Sequence, residues 1–136
     1  MAGPTVIPHL TVNDGEAALA FYEKAFGAKV EVKMPAQDGK RLMHASMSLN
    51  GGTVMLADDF PEYKQEMTGA AKSPALAGAT TVTIHLEVPD ADAAFDRAIK
   101  AGATTIMKPD NMFWGARYGQ LRDPFGHVWS IGGPVK

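Results

Sequence analysis

The feature that most constrains this chain is an internal repeat. His9-Leu10-Thr11-Val12-Asn13-Asp14 is echoed 76 positions later by His85-Leu86-Glu87-Val88-Pro89-Asp90, with four of the six residues identical. The echo runs on: Ala17-Ala18 answers Ala93-Ala94, Lys24-Ala25 answers Lys100-Ala101, and each half closes on a similar short run, Gly52-Thr53-Val54-Met55 and Gly126-His127-Val128-Trp129. Self-similarity at a fixed displacement is the mark of one supersecondary unit used twice. A chain of 136 residues holds two such units, each too small to close a core alone.

Each half predicts the same order of elements. Residues 6–12 and 80–88 are rich in β-branched side chains and read as strands, each followed by an Asp able to cap a helix. Asn13 with Glu16 also fits a capping box, which leaves the first cap open by one residue. Ala18, Phe21, Tyr22, Ala25 and Phe26 form one apolar stripe at helical spacing, repeated more weakly by Phe95, Ala98 and Ile99. Gly27 and Gly102 then stop the two helices. Short extended runs follow at 28–34, 41–49 and 53–58, and again at 104–107, 116–121 and 127–131. The fold expected is α+β: two βαβββ modules whose curved mixed sheets surround a concave cavity, in one domain over 1–136. Module one covers 5–58, a linker 59–79, and module two 80–132. The linker has no clear period; it serves either as a cover over a pocket or, the simpler reading, as a plain connector.

Alternation along a strand sorts its side chains by face. Leu10 and Val12, with Leu86 and Val88, belong on the helix side, so His9 and Thr11, with His85 and Glu87, line the concave side. The same test on 41–49 turns Met43, Ala45, Met47 and Leu49 to the helix and His44 to the concave side. His85 and Glu87 stand about 7 Å apart on one strand face, close enough to share a proton through water, and are the candidate catalytic pair. A lone half-buried histidine is more often a packing residue, and Glu87 at a strand end is as well explained by solvent. His127 alternates with Trp129 and reads as structural. Around two glycines, Trp114, Arg117 and Tyr118 form a cluster suited to stacking and bidentate contact with an aromatic or anionic ligand. Equally, Trp114 plugs the sheet and Arg117 pairs with a carboxylate. Asp123-Pro124-Phe125-Gly126 reads as a tight turn.

Composition removes other functions. With no cysteine there is no thiol chemistry and no Cys-ligated metal. Thirteen Lys and Arg against 15 Asp and Glu, in no block of one sign, argue against a nucleic-acid partner. No apolar run approaches the ~20 residues of a membrane span, and the start carries no secretory signal, so a cytoplasmic protein is expected. Walker, G-x-G-x-x-G, H-E-x-x-H, EF-hand and G-x-S-x-G patterns are all missing.

Phe21-Tyr22 through Ala25-Phe26-Gly27-Ala28, His44-Ala45, Met55-Leu56-Ala57-Asp58, Phe113-Trp114-Gly115 with Arg117-Tyr118-Gly119, and Asp123-Pro124-Phe125-Gly126-His127 with Trp129 span nearly the whole chain. Together they resemble the vicinal oxygen chelate superfamily of glyoxalase I, extradiol dioxygenases and fosfomycin and bleomycin resistance proteins, and within it the PhnB-like members. The resemblance implies a cavity commonly shared between modules of two chains, hence a homodimer. It also implies a ligand-facing position at Ser130 on the last strand. Metalloenzymes of the superfamily take ligands from first and last strands; those positions fall here on Ile7, Thr83, Ser130, and Met55 or Leu56, none of them His or carboxylate. No cofactor is therefore expected, with a displaced divalent-metal site at His9, His85 and His44 as the lesser alternative. The function expected is binding of a small aromatic or anionic molecule by His9, His44, Trp114, Arg117, Tyr118 and Ser130 without metal. The alternative is a lyase, isomerase or dioxygenase using His9, His85 and Glu87.

Overall fold

The structure is a computed structural model that describes residues 5–63 and 70–136. Its first half runs β1 (His9–Val12), α1 (Gly15–Phe26), β2 (Lys29–Pro35), β3 (Leu42–Leu49) and β4 (Gly52–Asp58). The second repeats it as β5 (Thr83–Glu87), α3 (Ala91–Ala101), β6 (Thr104–Asn111), β7 (Arg117–Arg122) and β8 (Val128–Gly133). Each half forms its own four-stranded sheet, ordered β1-β4-β3-β2 and β5-β8-β7-β6. The first and last strands of each half pair in parallel and the rest antiparallel, so both sheets are mixed. The fold is the α+β duplication expected from the repeat. No helix among the described residues is long and apolar enough to cross a membrane.

Local chemistry sets the helix ends. Asp14 and Asp90 each accept a hydrogen bond from the backbone three residues on, Ala17 N and Ala93 N, at 3.1 Å. Asp14 is thus the first cap, and Glu16 instead pairs with Lys33 at 3.2 Å. Gly27 ends α1 at φ +74°, a left-handed conformation that costs any other residue a Cβ clash.

The apolar sides of the sheets cover α1 and α3, which pack on each other. Leu10, Val12, Ala45, Met47 and Leu56 from the first sheet and Leu86, Leu121, Trp129 and Ile131 from the second are buried there. The seam between the halves is aromatic: the Tyr22 ring lies 5.3 Å from Trp129 and Phe26 lies 4.7 Å from it. Buried Asp123 ties this seam together, accepting from the Tyr22 hydroxyl on α1, from Trp129 Nε1 at 2.8 Å, and from the backbone of Phe125 and His127 at 2.9 and 3.0 Å. His127 bonds across the halves through Nε2 to Thr11 O at 2.8 Å, a structural role as its alternation with Trp129 implied.

Two expectations change. Met34 pairs with His44 while the next residue, Pro35, pairs with Leu42, so β3 carries one extra residue. At this bulge Leu42 takes the buried helix-side place and Met43 turns to the concave side, against the strict alternation expected of it. The linker also carries structure: a single 3-10 turn at Pro61–Tyr63 and a short helix α2 at Pro74–Ala77.

Candidate functional site

Residues paired directly across neighbouring strands share a face, so the register defines what each concave surface presents. On the second sheet one row reads Glu87, Gly132, Tyr118 and Asp110 across β5, β8, β7 and β6. The next reads His85, Ser130, Gln120 and Met107. Three of the residues singled out in the sequence therefore stand beside Glu87, and they bond to one another. His85 Nδ1 lies 2.8 Å from Ser130 Oγ and Nε2 lies 2.6 Å from Glu87 Oε1. The imidazole thus bridges the two, one ring nitrogen to the Ser130 hydroxyl and the other to the Glu87 carboxylate. Ser130 is 2% exposed, whereas the Glu87 side chain is 74% exposed. The solvent-facing end of this chain is thus Glu87, with His85 and Ser130 behind it. The His85 ring stacks on Tyr118 with centroids 5.9 Å apart and planes at 14°. Trp114 meets Tyr118 edge-on at 5.6 Å, and Gln120 donates to the Tyr118 hydroxyl at 3.0 Å, leaving the phenol proton free to point outward.

Arg117 is not part of this face. It pairs with Gly133 in the other row, and its guanidinium turns to α3, where Nε meets both Asp92 oxygens at 3.0 and 3.1 Å. Lys136 bonds the same carboxylate at 2.7 Å, and together the Lys136 and Arg117 contacts hold the Asp92 carboxyl below its usual range. The expected grouping of Trp114, Arg117 and Tyr118 is corrected to Trp114, Tyr118 and His85, because the strand puts Arg117 and Tyr118 on opposite faces.

On the first sheet, His9 and His44 come together with ring centroids 6.0 Å apart. Beside them lies a cavity of about 600 Å³ lined by His9, Met43, Ala57, Phe60, Lys72 and Leu76, among others. That volume is within the range of small-molecule sites. Its roof comes from the linker, which the simpler sequence reading treated as a connector. Arg41 holds the start of this strap: its guanidinium donates to Asp59 O at 3.2 Å and to both Glu62 oxygens at 3.0 and 2.6 Å, and it lies 4.3 Å over the Phe60 ring. Phe60, Lys72 and Leu76 carried no periodic signal, and Met43 was hidden by the bulge. The prolines of the linker were the available sign of local order.

The residues do not fit the divalent ion that metalloenzymes of the resembling superfamily hold. Register pairs His9 with Met55 and His85 with Ser130, so the last-strand position in the first half is Met55. Ile7, Thr83, Met55 and Ser130 offer no imidazole or carboxylate. Among the described residues, no three His, Asp or Glu side chains are grouped to hold a metal, and His9, His44 and His85 are divided between the two sheets.

Comparison with known proteins agrees with this architecture. The chain is 49% identical over 133 residues to an uncharacterized protein of Mycobacterium bovis, covering 98% of this chain and 85% of that one. Among solved structures, TioX from Micromonospora sp. ML1 is 27% identical with a TM-score of 0.73, over 98% of this chain and 100% of TioX. Protein PA1353 from Pseudomonas aeruginosa shares the fold at 22% identity and a TM-score of 0.75, with 98% and 100% covered. Residues 5–131 match the family model of the glyoxalase/bleomycin resistance protein/dioxygenase superfamily, and the chain belongs to that superfamily.

Proposed function

We propose that this chain is a PhnB-like binder of a small aromatic, anionic molecule, held without metal in the cavity over the first sheet. The observation that carries the reading is that cavity: an apolar interior of Met43, Ala57, Phe60 and Leu76, with His9 and Lys72 as polar anchors, while the Asp58 and Asp59 carboxylates on its wall accept from the backbone of Gly15, Leu42 and Ser73. Lys72 forms no ion pair with a carboxylate among the described residues, so its charge is available to a ligand. Flat apolar surface supplies affinity and two cationic or hydrogen-bonding groups supply orientation. The test is thermal shift with 2-naphthoate against neutral naphthalene. A saturable rise in Tm with naphthoate, lost in Met43→Glu, is the expected result; no rise would overturn the reading.

In the same reading two copies pair. Val30, Val32 and Met34 on edge strand β2 and Ile106 on edge strand β6 are exposed apolar side chains, and such edges are ordinarily covered or charged. A second reading, turnover, is favoured by the Ser130–His85–Glu87 chain, which presents a held carboxylate as a base. It predicts that Glu87→Gln abolishes hydrogen–deuterium exchange into a carbon acid such as phenylpyruvate while naphthoate binding over the first sheet persists.

A further inference from the structure

A second groove, of about 550 Å³, opens where the β7–β8 ladder stops, at the pairing of Arg122 with Val128. Those two are the only strand residues on its described wall. The rest comes from the turn at Pro124–Gly126, from the linker around α2, and from Asn13 ahead of α1, so the groove is walled by connections between elements and not by a sheet. The short helix α2 stands between it and the cavity over the first sheet, with Leu76 on that cavity and Pro74 on this groove. The turn and the linker meet at a residue without a side chain. Gly126 stands at φ +92°, and a Cβ there would lie 2.6 Å from Pro74 Cβ. Buried Ser73 fixes the start of α2, donating its backbone N–H to Asp59 Oδ1 at 2.9 Å and accepting Leu76 N at 3.3 Å.

The charge in this groove is positive and uncommitted. Arg122 is its one ionisable lining residue among those described, and it has no ion pair or hydrogen bond within the described chain. The other arginines are all engaged: Arg41 with Asp38 and Glu62, Arg97 with the Lys24 and Glu23 carbonyls, Arg117 with Asp92. The acids next to the groove in sequence are engaged as well. Asp123 is buried and accepts from Tyr22, Trp129, Phe125 and His127, and Asp14 caps α1 through Ala17 N. On the same wall as Arg122, the Asn13 amide and the Thr80 hydroxyl have no partner among the described residues, and the N–H groups of Ala79 and Thr80 bond to no backbone carbonyl. A free guanidinium, neutral donors beside it and the apolar sides of Pro74 and Val128 are the parts of an anion site with room for a small body.

We propose that this groove is a second binding site, and that it takes a small organic oxyanion: a carboxylate or phosphate group on a short apolar body. The planar fork of Arg122 presents paired N–H donors that match two oxygens of either head group, which a point charge would not do. Asn13 and Thr80 supply donors for the remaining oxygen, and the body packs on Pro74 and Val128. The site is separate from the cavity over the first sheet and does not rest on the function proposed for it.

The experiment is an NMR titration of the full chain with benzoate, phenyl phosphate and neutral benzamide, three probes with the same ring. At least one of the two anions is expected to shift the Val128 methyl and Gly78 amide signals saturably, with benzamide roughly tenfold weaker there. The tighter anion names the preferred head group. Arg122→Gln, at an exposed position without partners, should weaken the anion about fivefold, the upper size for an exposed ion pair. Ala79→Glu, which adds a carboxylate to the wall, should weaken it further. No saturable shift with either anion, equal binding of benzamide, or unchanged affinity in Arg122→Gln would each overturn the proposal. Loss of the Val128 shifts in Met43→Glu would overturn it too, by assigning them to the first cavity. Naphthoate binding marked by the Met43 methyl should persist in Arg122→Gln, and its absence from the parent chain would overturn the function proposed for that cavity alone.

Discussion

At the scale of single residues, the second concave face depends on one position with no side chain. Gly132 has an ordinary backbone conformation, so its value is space: an added methyl strikes the movable ends of His85 and Glu87, not backbone. Gly132→Ala should therefore fold with little loss of stability and yet displace the pair. We expect Tm within a few degrees of the parent and displaced His85 and Tyr118 ring signals, checked by calorimetry and NMR together. Gly119 provides the contrast. A Cβ there stands 2.9 Å from Pro109 N and 3.0 Å from Met107 O, atoms of backbone that cannot step aside, so Gly119→Ala should cost about 1–3 kcal/mol in urea unfolding. The sequence showed the orientation of His85 and Glu87 because strand alternation is local. It did not show that Arg117 belongs to Asp92, 25 positions away, because that pairing depends on α3 crossing the back of the sheet.

At the scale of elements, the linker does more than connect. Arg41, at the entry to β3, grips both its backbone and its acid, and the bidentate contact with Glu62 holds that carboxyl below its usual range. At the far end Asp59 Oδ1 accepts Ser73 N at 2.9 Å, and α2 brings Leu76 over the cavity. Surface ion pairs add little to global stability, so Arg41→Ala should lower Tm only slightly. It should weaken naphthoate several-fold, because Phe60 loses the guanidinium that seats it; equal affinity in the variant would show that the strap is not part of the site. The elements of both halves were legible from the repeat, from two Asp caps and from Gly27. The bulge in β3 was not, since Leu42 and Met43 are both apolar and either could fill the buried place. Only the fixed register against β2 decides between them.

At the scale of the molecule, two devices join what duplication separated. Between copies, the exposed apolar β2 edge predicts a particle of twice the chain mass in light scattering, and Val32→Lys should return it to a single chain. Between the halves of one chain, the join is the buried hydroxyl of Tyr22 on the carboxylate of Asp123. Burial first, then the Asp123 charge and the hydrogen bond to it, push the Tyr22 phenol well above its usual value near 10, with the Trp129 contact working slightly the other way. The folded chain therefore keeps this proton to higher pH than the unfolded chain does. Its contribution is complete below pH ~10 and is lost as pH rises from there toward the folded value, at up to about 1.4 kcal/mol per pH unit. Urea midpoints should hold between pH 8 and 9.5 and fall by pH 11. Tyr22→Phe should start about 1 kcal/mol less stable at pH 8, from the lost hydrogen bond, and decline less steeply over the same interval, since it has no proton there to lose. Tyr22 is the one group that differs between the two proteins, so the difference in slope isolates the seam. Parallel curves would place the alkaline transition in another group and leave the join to the packing of Tyr22, Phe26 and Trp129 alone.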